Sequence, residues 1–354
     1  MNAVTETKAA LGLRNLWYFA ALSSEVPKEG LCRKIILGEP IVLARTKSGQ
    51  IFALRDICPH RGVPLSAGKV YDDVVQCPYH GWRFKPNGQC SHIPSLVDGQ
   101  EMDIDRIRVR GYAIDEANGL IWVYMPEESM DRSSAPTTKA PRLPIPSTSR
   151  PAMVESQLFP CEVDHAVVGL MDPAHGPFVH SSWWWRGKTK AYPKAKTYAP
   201  SELGFTMVSH PPSSNSLLYR ILGGGLVTEI SFSLPGIRVE HITAGKRWLV
   251  GLTTVTPRED KKTEVSQIFF WSMPWLGILK PILKPVAKTF LGQDRDMVVL
   301  QQEGLRFNPS LMLIRDADVP AMWYYRIKKE YADAAANRRP FVNPVTESVL
   351  RWKS

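Results

Sequence analysis

Two short stretches, CPHRG beginning at Cys58 and CPYHGW beginning at Cys77, constrain this chain more than any other feature. Each sets a cysteine and a histidine close together among Pro, Gly and Arg, not in an apolar run where a structural thiol is normally buried. Written as spacing, the pattern is Cys58-x-His60, sixteen residues, Cys77-x-x-His80. Four ligand-type side chains in two matched loops point to a metal. The residue types suit either a tetrahedral zinc or a two-iron cluster held by two Cys on one iron and two His on the other.

Zinc sites usually pair like with like, whereas here each loop offers one thiolate and one imidazole, as the two-iron cluster requires. Gly62 and Gly81 stand directly behind the ligand stretches, where backbone N–H groups are expected to turn toward bridging sulfurs. On these residues the segment resembles the Rieske proteins, and CPHRG with CPYHGWRF is similar to their oxygenase branch. The respiratory branch carries a further Cys in each loop, and the two form a disulfide; Val63 and Tyr79 occupy those places here. The resemblance implies Cys58, His60, Cys77 and His80 as ligands of a [2Fe-2S] Rieske cluster. Cys32, Cys90 and Cys161 are left over and are expected to be buried, inert thiols.

A second constellation follows in GLMDPAHGPFVHSSWWW, which begins at Gly169 and sets Asp172 three residues before His175 and eight before His180. Two His and one carboxylate on one face commonly hold a mononuclear iron that activates oxygen, with positions left open. Two His need a third ligand. GQDRDMVVLQQE, from Gly292, offers Asp294 and Asp296 on an expected helix. Helical phase places Asp294, Met297, Val298 and Gln301 on one face and turns Asp296 roughly opposite. Since the inward face should also carry the apolar residues, Asp294 is the expected ligand and Asp296 the reserve.

From about residue 17 to 352 the chain resembles the Rieske non-heme iron oxygenases. Their D-x-x-H-x-x-x-x-H motif matches Asp172, His175 and His180, and a helix like Q-D-x-x-x-x-x-x-Q-Q supplies the acidic ligand. The resemblance implies His175, His180 and Asp294 as ligands of a mononuclear Fe(II). It implies Asp172 as a carboxylate that links His175 to His80 of a neighbouring subunit, in a head-to-tail homotrimer. Gly169 stands where many members have Asn. The implied fold class is α+β: an N-terminal all-β Rieske domain, 15–125, a linker, 126–152, and a catalytic α+β domain, 153–352, of the helix-grip (START-like) type around an antiparallel sheet. The implied function is that of a terminal oxygenase, in which electrons from NAD(P)H arrive through a separate reductase or ferredoxin and O2 hydroxylates or oxidatively demethylates a bulky hydrophobic or aromatic small molecule. The alternative is a Rieske electron-transfer protein with a non-catalytic binding domain.

The rest of the chain suits this organisation. At 354 residues it exceeds one ordinary core, which favours two domains. Short β-type runs such as KIILG, PIVLART, IFALRD and VVQCPYH alternate with turns, then a Pro/Ser/Thr-rich stretch intervenes. Beyond it, a helix near 164–170, long strands such as KRWLVGLTTVTP and EVSQIFFWSM, and late helical stretches alternate. No nucleotide-binding glycine fingerprint is present, so reduction must be external. The net charge of +10 is spread without a basic run, which argues against nucleic acid. The opening residues lack the basic start and apolar core of a signal peptide, so a cytoplasmic location is expected. WLGILKPILKPVAKTFLG, 275–292, is too interrupted by Lys and Pro to span a membrane. It reads as a domain-covering segment with a solvated edge of Lys280, Lys284 and Lys288, or as a peripheral membrane contact. Pro281 and Pro285 argue against a regular helix there. The SSWWWR cluster, 181–186, suits either packing or a substrate wall, and His165, His210 and His241 are expected to be structural.

Overall fold

The computed structural model describes residues 11–127, 135–180, 192–211 and 225–354. The aromatic cluster at 181–186 therefore lies outside the described residues. The chain forms two compact units, Met1–Arg142 with Pro146–Thr148, and Leu143–Ile145 with Ser149–Ser354.

The described residues of the first unit form eleven strands and no α-helix. One sheet has the order β1 (Leu16–Leu22), β11 (Leu120–Met125), β10 (Ile114–Ala117). Its central strand, LIWVYM, is buried on both faces, which is why it reads as a continuous apolar run and not as an alternation. Tyr18 and Trp17 keep their polar ends satisfied within this core, on the Leu13 carbonyl at 2.5 Å and the Thr138 carbonyl at 2.9 Å. A second sheet has the order β2 (Leu31–Ile36), β3 (Glu39–Arg45), β4 (Ile51–Arg55), β9 (Gly111–Tyr112). A third consists of β5 (Lys69–Tyr71), β6 (Val74–Gln76), β7 (Arg83–Phe84) and β8 (Cys90–His92). The two Cys/His loops follow β4 and β6. The strand expected over VVQCPYH ends at Gln76 because the chain turns at Cys77 and Pro78 to form the second loop.

The second unit is built on one antiparallel sheet of eight strands. Its order is β12 (Met153–Phe159), β18 (Lys262–Trp271), β17 (Arg247–Glu259), β16 (Ile237–Ala244), β15 (Val227–Ser233), β14 (Gly204–His210), β13 (Pro193–Ser201), β19 (Ser348–Lys353). Among the described residues the α-helices are α1 (Val163–Met171), the single turn α2 (Gly176–Val179), α3 (Lys280–Leu305) and α4 (Val319–Ala336). Trp323 on α4 packs against Tyr198 and Phe205 of the sheet, with ring centroids 5.7 and 5.2 Å apart. Asp164 ties α1 to α4 by accepting from Tyr324 Oη and Lys328 Nζ, both at 2.6 Å.

Contrary to the expectation from its prolines, α3 is regular over 26 residues. Pro281 occupies the first turn, where a helix has no use for its missing N–H, and Pro285 forfeits only one backbone bond. Lys280, Lys284 and Lys288 are exposed, while Leu276, just before the helix, is buried. Among the described residues no helix is long and apolar enough to cross a membrane.

Candidate functional site

The first unit's two loops close in the same way. Cys58 N–H donates to the Val63 carbonyl at 2.9 Å and Gly62 N–H to the Cys58 carbonyl at 2.9 Å; Cys77 N–H donates to the Trp82 carbonyl at 2.8 Å and Gly81 N–H to the Cys77 carbonyl at 3.2 Å. Both glycines adopt φ of 73°. Their own N–H groups fasten the turns, and the turns so formed point the N–H groups of His60 and Arg61 at the Cys58 sulfur. The turns direct the two kinds of donor oppositely. Cys58 and Cys77 are each 2% exposed, within a core that includes Leu65, Val75 and Phe84, whereas His60 and His80 are exposed. The two imidazole centroids lie 4.5 Å apart, and Trp82 stacks on His60 at 4.6 Å.

Burial pushes the Cys58 thiol up to about 11, and the adjoining Cys77 adds to the rise against backbone N–H groups that lower it. Two adjacent buried thiols, neither in a disulfide, are a donor pair that a metal would deprotonate. Thiols inside and imidazoles outside fit a [2Fe-2S] cluster with one iron on each pair. Of the remaining cysteines, Cys90 and Cys161 are buried as expected, but Cys32 is only half-buried.

The second unit gathers three donors from two parts of the chain. His175 and His180 flank α2, so a single turn brings both rings to one side. Asp294 reaches them from the middle of α3. Nε2 of His175 and Nε2 of His180 are 3.3 Å apart, and Asp294 Oδ1 lies 3.6 and 3.3 Å from them. An octahedral face with bonds of about 2.1 Å has edges of roughly 3 Å, so the triangle is close to what a metal would draw together. Among the described residues this is the only such compact donor group. Asp296, by contrast, is exposed and paired with Arg295 at 2.9 Å.

The other ring nitrogens are held from behind, which leaves Nε2 for a metal. His175 Nδ1 meets the Asp172 carbonyl at 2.8 Å, and His180 Nδ1 meets Gln293 Oε1 at 3.2 Å. Phe290 stacks on His180, with centroids 3.6 Å apart. Gln293 and Phe290 escaped the sequence reading, although Phe290 lies one helical turn before Asp294. The Asp172 carboxylate is 3.6 Å from His175 Nδ1, too far for a hydrogen bond, and accepts instead from Ala174 N–H at 2.7 Å. Its main chain therefore orients His175 in this chain, and its side chain supplies charge.

Burial pushes Asp294 up to about 6, against the opposing charges of His175 and Arg238. Burial also disfavours the charged form of His175, but Asp172 and Asp294 outweigh it and raise its pKa. For Asp172, burial raises the pKa, and His175 together with Ala174 N–H outweighs it and holds the group below the usual carboxylate range.

A cavity of about 460 Å³ opens from this triad along one face of the eight-stranded sheet. Every second residue of the strands lines it, as in Ile230 and Phe232, Glu240 and Ile242, or Phe269 and Trp271. Leu283, Val286, Ala287 and Phe290 of α3 form the opposite wall. A smaller cavity of about 270 Å³ borders the same triad and is lined by Met297, Val298 and Gln301. His210 lines the larger cavity and His165 the smaller. Gly169 borders both, and a β-carbon there would meet nothing within 4 Å.

Residues 16–109 match the Rieske [2Fe-2S] domain. Chlorophyllide a oxygenase of Chlamydomonas reinhardtii is 31% identical over 316 residues, which cover 82% of this chain and 44% of that protein; the chain thus spans less than half of that relative. The oxygenase component of dicamba O-demethylase from Stenotrophomonas maltophilia is 33% identical over 324 residues, 82% of this chain and 87% of the relative. The crystal structure of apo dicamba monooxygenase superposes with a TM-score of 0.68 at 23% identity, covering 93% of this chain and all of that one.

Proposed function

The chain belongs to the Rieske non-heme iron oxygenases, and from that premise we propose that it is the oxygenase component of a multicomponent monooxygenase whose substrate reacts in the cavity beside His175, His180 and Asp294. The observation that carries this reading is the position of the three-donor triangle, at the end of a largely apolar cavity large enough for a multi-ring molecule. When bound, the cluster supplies single electrons and the mononuclear iron the activation of O2. In this proposal Cys58, His60, Cys77 and His80 hold the former and His175, His180 and Asp294 the latter.

The protein's own work is positioning. The Asp172 carbonyl and Gln293 fix the two imidazoles so that their Nε2 atoms converge, Phe290 packs against one ring, and the three protein donors would leave positions open for further ligands. The apolar walls exclude water from the reacting centre. Electrons come from NAD(P)H through a separate reductase or ferredoxin. We place the assembly as a head-to-tail homotrimer, in which Asp172 faces His80 of a neighbouring subunit, and in the cytoplasm, where cysteines outside disulfides are at home.

The Stenotrophomonas relative is named as an O-demethylase and the Chlamydomonas relative as an oxygenase of chlorophyllide a. Both names favour a bulky aromatic substrate that undergoes oxidative demethylation or hydroxylation. Oxygen uptake by the iron-loaded protein with NADH, a ferredoxin and its reductase tests this over aromatic ethers, sterol-like and pigment-like compounds. At least one class should couple O2 consumption to formaldehyde or a hydroxylated product. An iron-loaded protein that reduces its cluster yet turns over none of them contradicts the proposal.

A further inference from the structure

Strand β13, PKAKTYAPS, reverses the usual pattern of a half-buried strand. Side chains alternate along it, so Lys194, Lys196 and Tyr198 line the cavity while Pro193 and Ala195 are exposed on the other face. Charge normally goes outward and small apolar residues inward. Here two lysines face in.

Among the described residues neither lysine makes an ion pair. Lys194 Nζ donates to Ser354 Oγ at 2.7 Å and Lys196 Nζ to the Pro211 carbonyl at 3.2 Å, both uncharged acceptors. Residues 181–191 and 212–224, the remaining sequence of this unit, contain no Asp or Glu. On the sheet wall of the cavity Arg238 pairs with Glu240 at 3.2 Å, and the acids Asp172 and Asp294 stand with the imidazoles of the triad. Burial holds His210 below its ordinary pKa, so it adds no charge near neutrality. Burial likewise lowers both lysines, and Lys196 lowers Lys194 further. Two unpaired cations facing a cavity are unfavourable unless an anion joins them.

The strand register places these lysines far from the metal triad. Tyr198, Met207, Ile230 and Glu240 form one rung across the sheet. One step along the strands in one direction, Phe232 pairs with Arg238, whose charge acts on Asp294. One step in the other direction, His210, Thr228 and Ile242 form the rung beside Lys196, and Lys194 lies a step beyond. Each step is roughly 7 Å, so about 10–20 Å of cavity separates the Arg238 rung from the lysines. Between them the wall is apolar at Ile230 and Phe269, with Glu240 as its one acidic side chain held by Arg238, and Leu276 packs with Ile242 and Leu249 at the far end.

We infer that Lys194 and Lys196 form an oxyanion subsite, and that the molecule bound here is an elongated amphiphile with a carboxylate or similar oxyanion between the lysines and an apolar body reaching the His175–His180–Asp294 triad. That this molecule is a substrate rests on the oxygenase reading; that the cavity selects an anion does not.

The test is calorimetric titration of the full, iron-loaded protein, without reductase, with 4'-methoxybiphenyl-4-carboxylate and its carboxamide, which share one apolar body. The carboxylate should bind at least about tenfold more tightly, a difference of about 1.4 kcal/mol. 4-Methoxybenzoate, equally charged but one ring shorter, should bind more weakly than the biphenyl acid. Replacing both lysines, Lys194→Met with Lys196→Met, should abolish the preference, and Lys194→Arg with Lys196→Arg should keep it. Equal affinity for carboxylate and carboxamide, no binding of the carboxylate, or a preference that survives the double Met variant overturns the inference. The wild-type comparison stands even if a variant does not fold. Turnover of neutral compounds with no preference for anions would leave the oxygenase reading intact and sink this one.

Discussion

Asp294 and Asp296 stand two positions apart on α3 and meet different surroundings. Asp294 is half-buried beside two imidazoles, while Asp296 faces solvent against Arg295. Replacing Asp294 with Ala should therefore lose the mononuclear iron and nearly all turnover, whereas Asp296→Ala should keep most of both. Asp172→Asn belongs to the same series. It keeps the main-chain carbonyl that holds His175 but loses the charge, so both metals should stay while turnover falls by about 10–100-fold. Iron content and oxygen uptake of the three variants decide, and a reversal of the two α3 variants would contradict the assignment. Helical phase made Asp294 legible, because a 3.6-residue period turns Asp296 away. Gln293 was not legible as the partner of His180. The two lie 113 positions apart, and periodicity alone says nothing of which distant group an amide will meet.

At the scale of elements, the two metal-type loops of the first unit depend on their glycines. Gly62 and Gly81 both sit at φ of 73°, which costs an L-residue about 1 kcal/mol. A β-carbon at position 62 meets nothing within 4 Å, but at 81 it comes within 2.9 Å of Pro94 Cγ. Gly62→Ala should thus destabilise by about 1 kcal/mol and Gly81→Ala by about 2 kcal/mol or more, read by urea unfolding. The opposite order would mean that the loops do not close as described. Those loops were readable in sequence because Pro, Gly and ligand residues fix them locally. Strand β11 is a run of six buried residues. Strand β13 resisted, since its inward face carries Lys194 and Lys196 and a cavity, not a core, sets its pattern. Helix α3 was obscured by Pro281, which its first turn tolerates, and by Pro285, which lies inside the helix at the cost of one backbone bond. Which strand residues face the cavity follows only from the register of eight strands, and no single strand contains that information.

For the whole molecule, the central claim is that one chain holds two separate metal sites with no ligand in common. An electron-transfer protein with a non-catalytic second unit would hold the cluster alone. The donor triangle in the second unit argues for the enzyme, since two imidazoles and a half-buried carboxylate converge there and burial disfavours the charged forms of both Asp294 and His175. The most direct measurement is the iron content of anaerobically purified protein, taken together with its visible spectrum. About three iron atoms per chain are expected, two in the cluster and one at the triad, with His175→Ala falling to about two while keeping the Rieske absorption. Wild-type protein with about two iron atoms per chain, or a folded His175→Ala variant without the Rieske bands, would contradict two independent sites.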